Sequence, residues 1–408
     1  TYHYDPNGNL TETVNALGEK QTNSYDDGNR LDSETNTAGQ ITAYQYDNDD
    51  RLTNVTTSTG VQAQFSYDGN NNLTRVQSGG KQVSQYQYDK ADQLTEVTQG
   101  SGKEASKTGY TYDPVGNLTS ITNGNGKVTT YRYDELSNVV EKVNSLGDKT
   151  QYSYDADNRL KEVAQANGKS IQYDYNKLDQ LLQVNYSEKS DGNVLYTYDA
   201  DGRRVSMNDL TGQSDYSYNE DGEITGVRQG DGSLIKYDYD AYGNIQKLTY
   251  ADGSDVHYTY DALDRLTKVV DKDNQTTSYT YDDAGNMTAI KRSDGSSSVL
   301  AYRIDGRVQK ITHLDKKGKV ISAYAYDYDA DNQISEESIT QDGKTLIQTY
   351  AYDSLGQVTQ MTVFDKNKKH ELSSFAYTYD HAGNKLTSTE TQDGKTTTSD
   401  FSYDDHNR

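Results

Sequence analysis

The sequence predicts an all-β protein built from tandem antiparallel hairpins of about 21 residues, joined into one long curled sheet. Three observations predict it: a tyrosine returns at near-constant spacing, a second tyrosine stands two residues before it, and a turn signal follows the pair. Only 32% of the 408 residues are hydrophobic, yet 38 are tyrosine. Because disordered chains are poor in aromatic residues, this pattern indicates a folded protein.

The repeat is marked by a tyrosine that occurs nineteen times. Eleven of the eighteen intervals are 21 residues and the others lie between 20 and 27, with the longer ones after Tyr281. No composition shift or proline-rich linker interrupts the pattern, so residues 1–408 are predicted to be a single continuous array, truncated at both ends. The nineteen positions are Tyr4, Tyr25, Tyr46, Tyr67, Tyr88, Tyr112, Tyr133, Tyr154, Tyr175, Tyr198, Tyr218, Tyr239, Tyr260, Tyr281, Tyr302, Tyr328, Tyr352, Tyr379 and Tyr403.

The first strand of each repeat ends at this tyrosine. Fifteen copies have a second tyrosine two residues earlier, and a spacing of two places both rings on one face of an extended strand. The high β-propensity of tyrosine favours the same conformation. The tyrosines are therefore predicted to pack against one another on one face of the sheet.

A turn follows the tyrosine. The next residue is Asp in sixteen copies, and three residues later Gly, Asn or Asp stands in all copies but one, which has Ser137. Asp accepts hydrogen bonds from backbone amides in a type I turn, Gly, Asn and Asp tolerate positive φ, and Pro6 and Pro114 fit the position after the Asp. We predict a structural role for this motif. Representative copies are Tyr4, Asp5 and Gly8; Tyr46 and Asp47; Tyr112, Asp113 and Gly116; Tyr239, Asp240 and Gly243; Tyr281, Asp282 and Gly285; and Tyr352, Asp353 and Gly356.

A second strand begins two residues after the glycine position, with an aliphatic residue in sixteen of eighteen copies. Arg204 and Lys385 are the exceptions, and a one-residue slip to Val205 and Leu386 is predicted there. A Leu and a Val three residues apart face opposite sides of a regular strand, so either a bulge intervenes or both faces are partly buried. Asp-Gly pairs such as 252–253 then predict the hairpin turn that ends the strand.

The motif Tyr-x-Tyr-Asp-x-x-Gly-Asn-Leu-Thr, seen in full at residues 110–119, closely resembles that of the RHS/YD-repeat proteins. The resemblance covers Tyr2 to Arg408. It implies a β-sheet that spirals into a hollow shell, around a C-terminal toxin domain in bacteria and within an adhesion ectodomain in animal teneurins. The self-cleaving core segment of many bacterial members has no counterpart here, and the sequence stops inside a repeat at Asp404 to Arg408, so a fragment of a longer protein is expected.

Catalytic and metal sites lack a supporting motif. The six histidines form no metal-ligand pair and no nucleophile motif; they are His3, His257, His313, His370, His381 and His406. Neither a catalytic residue nor a cofactor is predicted. Acidic turns such as 155–158, 199–202 and 329–332 carry oxygens suited to calcium, but solvated turn residues are the simpler interpretation. Stacking of the tyrosines on sugars is a further alternative to packing.

The composition limits the partners. A net charge of −23 without a concentrated run of Lys and Arg argues against nucleic acid, and no segment has the roughly 18 apolar residues of a membrane helix. The first residues, Thr1 to Asp5, lack the basic and apolar regions of a signal peptide. The predicted function is a non-enzymatic shell that encloses or displays a toxin or effector polypeptide of the same parent chain. The alternative is an extracellular adhesion module for glycan or protein. The resemblance implies a secreted or cell-surface location.

A hydrolase is a third hypothesis and would need a local departure from the repeat. The only candidates are the longer intervals, Tyr302 to Tyr328 and Tyr352 to Tyr379, and these are interpreted as lengthened hairpin turns.

Overall fold

The computed structural model describes residues 1–60 and 62–404. These residues form 37 strands of one antiparallel sheet and two 3₁₀ helices, Gly102–Glu104 and Lys189–Asp191. The strands are β1 Tyr2–Tyr4, β2 Leu10–Val14, β3 Lys20–Tyr25, β4 Leu31–Thr35, β5 Ile41–Tyr46, β6 Leu52–Thr57, β7 Gln62–Tyr67, β8 Leu73–Ser78, β9 Gln82–Tyr88, β10 Leu94–Gln99, β11 Ser106–Tyr112, β12 Leu118–Thr122, β13 Val128–Tyr133, β14 Val139–Val143, β15 Lys149–Tyr154, β16 Leu160–Ala164, β17 Ser170–Tyr175, β18 Leu181–Tyr186, β19 Val194–Tyr198, β20 Arg204–Asp209, β21 Gly212–Tyr218, β22 Ile224–Arg228, β23 Leu234–Tyr239, β24 Ile245–Thr249, β25 Asp255–Tyr260, β26 Leu266–Val270, β27 Thr276–Tyr281, β28 Met287–Arg292, β29 Ser297–Tyr302, β30 Val308–Leu314, β31 Val320–Tyr328, β32 Ile334–Gln341, β33 Lys344–Tyr352, β34 Val358–Asp365, β35 Glu371–Tyr379, β36 Lys385–Gln392 and β37 Lys395–Asp400.

Neighbours in sequence are neighbours in the sheet. Register pairs join β1 through β11, β13 through β26 and β27 through β37 in chain order, for example Leu94 opposite Tyr88 and Val97 opposite Tyr86. The predicted fold class, all-β with tandem antiparallel hairpins in one long sheet, is confirmed.

A β-bulge at the start of the second strand answers the question that the sequence left open. In β9 and β10, Leu94 lies opposite Tyr88 but Glu96 lies opposite the adjacent Gln87, so Thr95 is the extra residue. The bulge brings Leu94 and Val97 to the same face of the sheet as the paired tyrosines. The Thr95 hydroxyl donates to the Gln87 carbonyl at 3.1 Å and so satisfies an acceptor next to the bulge.

The apolar face of the sheet is only half covered. Within residues 1–60 and 62–404 the buried hydrophobic side chains are three valines, Val184, Val256 and Val363. In β5 the exposed residues alternate with half-buried ones that include both tyrosines. A single sheet without a second layer has this pattern, so packing between neighbouring side chains of one face replaces a closed core.

The longer C-terminal repeats have longer strands, so the interpretation of lengthened turns is wrong. Strands β31 and β35, which end these two intervals, have nine residues each, whereas β5 and β13 have six. The turn between β30 and β31 has the usual five residues, 315–319, and the turn between β34 and β35 is only one residue longer, 365–370. Added residues continue the ladder because each one gains cross-strand hydrogen bonds that a longer loop would lack.

The predicted one-residue slip at Arg204 and Lys385 is also wrong. Arg204 lies opposite Tyr198 and Lys385 opposite Tyr379, the register that Leu10 has with Tyr4. The Arg204 guanidinium lies 4.6 Å from the ring centroid of Tyr216, and the Lys385 ammonium 5.0 Å from that of Phe401. Cation–π contacts thus replace the aliphatic contact without a change of register.

The chain divides into two compact units. One comprises residues 1–111, 121–127 and the chain from residue 277, and the other comprises residues 112–120 and 128–276. The single continuous array stays a prediction. Residues 405–408, with His406, complete the last predicted turn and lie outside the described residues. In the part of the chain that is described, no helix has the length and apolar character needed to cross a membrane.

Candidate functional site

Two rows of turns lie at opposite ends of the strands. We call "aspartate turns" the five-residue turns that follow each repeat tyrosine, such as residues 5–9, and "second turns" those at the other end, such as residues 15–19. In the first aspartate turn, Asp5 Oδ1 accepts the backbone N–H groups of Asn7 at 2.9 Å and Asn9 at 2.8 Å. The Gly8 N–H donates to the Asp5 carbonyl at 3.1 Å. The side chain of one residue thus organises the whole turn.

The other copies of the motif take the same place. In each copy whose turn lies within the described residues, the residue three positions after the aspartate or its equivalent has positive φ, whether it is glycine or, as at Asp50, Asn158 and Ser137, another residue. Aspartate and asparagine adopt this conformation more readily than other non-glycine residues. The φ values of the predicted copies are +88° at Gly8, +63° at Asp50 beside Tyr46 and Asp47, +94° at Gly116 beside Tyr112 and Asp113, +84° at Gly243, +81° at Gly285 beside Tyr281 and Asp282, and +80° at Gly356 beside Tyr352 and Asp353.

The repeat tyrosine joins one repeat to the one before it. The Tyr46 hydroxyl donates to the Leu31 carbonyl at 3.0 Å, and the Tyr239 hydroxyl donates to the Ile224 carbonyl at 2.8 Å. The acceptor is the first residue of the preceding second strand, next to the bulge. Burial raises the pKa of Tyr46 above its ordinary value. The same bond is made by Tyr25, Tyr67, Tyr88, Tyr133, Tyr154, Tyr198, Tyr218, Tyr260, Tyr302, Tyr328, Tyr352, Tyr379 and Tyr403.

The residue after the positive-φ position joins many of the aspartate turns to the next. Arg30 Nε donates to Asp26 Oδ2 at 2.8 Å within its own turn, and Arg30 Nη1 donates to Asp50 Oδ1 of the following turn at 2.7 Å. Its guanidinium also lies 4.9 Å from the centroid of the Tyr46 ring. The hydrogen bond from the Arg30 side chain lowers the pKa of Asp26. Asparagine makes the equivalent link elsewhere, as from Asn72 Nδ2 to Asp92 at 2.7 Å.

The second turns are more varied. Residues 15–19 form the same backbone turn around Asn15, but Tyr250 begins the turn at residues 250–254 with no side-chain acceptor of that kind. Two second turns contain an inserted 3₁₀ helix, and others are reduced to Asp-Gly. The hydrogen bond from a repeat tyrosine to the preceding second strand, which we call the tyrosine latch, does not involve the second turns. Their sequences are therefore free to differ.

In the first unit, early second turns contact late aspartate turns; we call this contact the seam. Asp331 Oδ1 accepts the backbone N–H groups of Gly80 at 2.8 Å and Lys81 at 3.1 Å. A side chain at Gly79 would overlap the Ala330 carbonyl, so only glycine fits there. A carboxylate held by successive backbone amides gives the seam a specific attachment point.

Two further contacts continue the seam. The Ser101 N–H donates to Ser354 Oγ at 2.9 Å, and Asn125 Nδ2 donates to Asp380 Oδ2 at 2.9 Å. Gly124 packs so closely on the His381 carbonyl that a Cβ would overlap it. The contacting residues are separated by about 250 residues in sequence each time. Sequence reasoning missed the seam, although the irregular second turns at Gly79-Gly80 and after Gly100 were a signal for it.

The acidic turns considered for calcium are occupied by protein groups. Arg203 pairs with Asp199 at 2.8 Å and with Asp201 at 3.0 Å. Arg159 pairs in the same way in its turn, and Asp331 belongs to the seam. Among the described residues there is no group of three or more acidic, His or Cys side chains placed to hold a metal ion.

A serine–histidine pair that the sequence did not indicate lies between β29 and β30. Ser298 Oγ and His313 Nδ1 are 2.9 Å apart, and the His313 ring packs edge-on against Tyr324. Ser298 is 2% exposed, so its hydroxyl has no access to a substrate. The pair gives the buried Ser298 hydroxyl a hydrogen-bond partner in the half-buried His313 ring.

Latched tyrosines, aspartate turns and a bulge repeated along one antiparallel sheet define a tandem β-hairpin repeat protein. The RHS repeat family model matches residues 65–104, 112–149, 154–190, 218–255 and 256–297, and the teneurin YD-shell model matches residues 1–83. Together these matches cover well over half of the chain. The chain belongs to the RHS/YD-repeat family. No curated protein matches the sequence.

Solved structures have the same fold. The crystal structure of TcdB2-TccC3-Cdc42 is 15% identical over 98% of this chain and 26% of that chain, with a TM-score of 0.81. TcdB2-TccC3-TEV is 15% identical over 99% of this chain and 25% of that one, with a TM-score of 0.78. The Photorhabdus luminescens Tc holotoxin pore is 15% identical over 100% of this chain and 24% of that one, with a TM-score of 0.70. The chain thus spans about a quarter of the length of these solved chains.

Proposed function

We propose that this chain is a wall segment of a shell that, in its parent protein, encloses or displays a C-terminal toxin or effector polypeptide without itself being an enzyme. The observation that carries the proposal is the fold likeness to TcdB2-TccC3-Cdc42 over 98% of the chain. Similar structures include a Tc holotoxin pore and a TcdB2-TccC3 without its hypervariable C-terminal region. A secreted or cell-surface location belongs to the same proposal.

The pairing of the strands supports a steric role. Strands β2–β10, β14–β25 and β28–β36 each pair on both sides, so their backbone groups are satisfied within the sheet. An enclosed unfolded chain would find few free N–H and C=O groups to pair with. The seam in the first unit supports the same role because it closes the space between two rows of turns.

The tyrosines support packing rather than glycan binding. Fifteen repeat tyrosines use their hydroxyls inside the sheet, as Tyr239 does on Ile224, and all of these but Tyr403 are half-buried. Sugar stacking needs an exposed ring face. The adhesion alternative therefore has less support than the shell. We further propose that the predicted motif residues, from Tyr4, Asp5 and Gly8 onward, serve structure alone.

Small-angle X-ray scattering on the purified chain tests the shell. The expected distance distribution is that of a compact particle with a low-density centre. The distribution of an extended rod would overturn the proposal. The variant Asp331→Ala is expected to increase the radius of gyration because it removes the carboxylate that Gly80 and Lys81 hold. The matched control is Asp201→Ala, at the same position of an aspartate turn, where Arg203 is the contact. A glycan array on the same protein tests the adhesion alternative.

A further inference from the structure

The second turns of the late repeats form a basic row on an acidic protein. The turns at residues 292–296, 315–319, 341–344, 365–370 and 392–395 contain nine Lys or Arg and five Asp, while the whole chain has a net charge of −23. All nine basic residues are exposed. They are Arg292, Lys316, Lys317, Lys319, Lys344, Lys366, Lys368, Lys369 and Lys395.

The aspartate turns of the early repeats form an acidic row in the same unit. The turns at residues 5–9, 26–30, 47–51, 68–72 and 89–93 contain nine Asp and three Lys or Arg. Asp27 and Asp49 are exposed there. The two rows therefore have opposite net charge.

The seam already joins rows of these two kinds with the same polarity. On its second-turn side it has Lys81, Lys103 and Lys127 against one acidic residue, Glu104. The aspartate turns on its other side, at residues 329–333, 353–357 and 380–384, contain four Asp and no Lys or Arg. An interface of this type is thus present once within the unit, and one row of each kind is left over.

We propose that the late second-turn row docks the early aspartate-turn row of a second copy of this chain. The spacings match because each row has one turn for every two strands, about 10 Å. The long late strands also carry their turns outward, since three added residues extend a strand by about 10 Å. The contact joins different surfaces of the two copies, so copies associate head to tail. The proposal goes beyond the shell function and does not depend on any cargo.

The alternation of charge favours a protein partner over a polyanion. Every late second turn has an Asp beside its basic residues, such as Asp315 beside Lys316 and Lys317. A nucleic acid or anionic membrane offers a continuous negative charge and would repel these aspartates. The early aspartate turns have Arg30, Arg51 and Lys90 among their aspartates, so their charges also alternate and can face both signs of the late second turns.

Sedimentation velocity on the intact chain at rising protein concentration tests the proposal. Association is expected at about 0.01 M salt and its loss at about 0.5 M, because salt screens exposed charges. Replacement of three lysines in one turn, Lys316→Glu, Lys317→Glu and Lys319→Glu, is expected to weaken association at least about tenfold. A second variant, Asp27→Lys with Asp49→Lys, is expected to associate weakly by itself. Mixed with the first variant, it is expected to restore association, because the two reversed rows again have opposite charge.

The matched control places the same charge change on the strands. Lys161→Glu, Lys236→Glu and Lys268→Glu alter three exposed lysines of β16, β23 and β26, and are expected to leave association unchanged. Circular dichroism confirms that each variant is folded. A wild type that stays monomeric at every concentration, or a control as weak as the turn variant, overturns the proposal. Monomeric protein that binds anionic vesicles or DNA through the lysines overturns it in favour of a polyanion.

Discussion

The two rows of turns use the same backbone conformation for different purposes. The described aspartate turns, and several of the second turns, have five residues with positive φ at the fourth, as at Gly8 and Gly18. The aspartate turns are latched by the tyrosine and tied to the next turn by Arg or Asn, as at Arg30. The second turns vary in length and first residue, from Asn15 to Tyr250. Cohesion between repeats therefore lies in one row, and variation is tolerated in the other.

The seam depends on both properties. Its aspartate-turn side supplies a carboxylate, Asp331, at a fixed position, and its second-turn side supplies Gly79 and Gly124, which let two backbones approach. A uniform row presents a regular surface, and a variable row adapts to it. The comparison between the rows can be tested at four levels.

The largest effect is expected at alkaline pH, which acts on several latches at once. Burial raises the pKa of Tyr239 and Tyr260, and burial with a hydrogen bond to Glu34 raises the pKa of Tyr44 to about 12. Above the ordinary value of 10.0 the unfolded chain loses protons that the folded one keeps. The free energy of unfolding is therefore constant with respect to these groups below pH 10 and falls as the pH rises through the raised pKa values. Tyrosinate absorbance should show one group of tyrosines that titrates above pH 10 together with the loss of the circular dichroism signal; titration of every tyrosine near pH 10 in a folded protein would contradict the latch.

The next effect is expected at a single latch. Tyr239→Ala should lower the free energy of unfolding by about 3 kcal/mol, because it removes a half-buried ring and leaves the Ile224 carbonyl unpaired. Tyr239→Phe removes only the hydroxyl and should cost about 1 kcal/mol. The control is Tyr250→Ala in a second turn, 41% exposed, with an expected loss under about 0.5 kcal/mol. Urea denaturation measures the free energy of unfolding of all three variants. Equal losses at Tyr239 and Tyr250 would show that cohesion between repeats does not lie in the aspartate-turn row.

A smaller effect is expected at the seam. Gly124→Ala should cost about 1–3 kcal/mol, because its Cβ would overlap the His381 carbonyl and the Ser106 hydroxyl. Gly69→Ala, in an aspartate turn with no atom within 4 Å of the added Cβ, should stay within about 0.5 kcal/mol of the wild type. Thermal denaturation of both variants checks this. A neutral Gly124→Ala would mean that early and late turns separate at little cost.

The smallest effect is expected at the exception to the aliphatic position. Arg204→Leu replaces cation–π contacts on Tyr196 and Tyr216 by the aliphatic contact of the other repeats. An exposed cation–π pair contributes about 0.5–1 kcal/mol. The loss of these contacts and the gain from burying the leucine should therefore cancel, leaving the free energy of unfolding within about 0.5 kcal/mol of the wild type. Urea denaturation measures the difference, and a large loss would show that this repeat depends on its arginine.

The sequence predicted the repeat correctly where one residue type has one local cause. Asp5 and Gly8 were assigned to their turn because the Asp side chain and positive φ act within five residues. Thr95 and its bulge were left open, because the bulge depends on the partner strand. Arg204 was misassigned, because its cation–π contacts join three strands that sequence spacing does not align.

The amino-acid sequence by itself determined the all-β class, the hairpin unit, its turns and the family. The class, the hairpin and the turns follow from hydrogen bonds and side-chain alternation within one repeat of about 21 residues. The family follows from the resemblance of the repeat motif. Only the tertiary structure decided that Asp331 meets Gly80 and Lys81, and that lysines from separate turns form one row. These contacts join residues about 250 positions apart in the sequence. They depend on the combined geometry of many strands, which no local sequence pattern specifies.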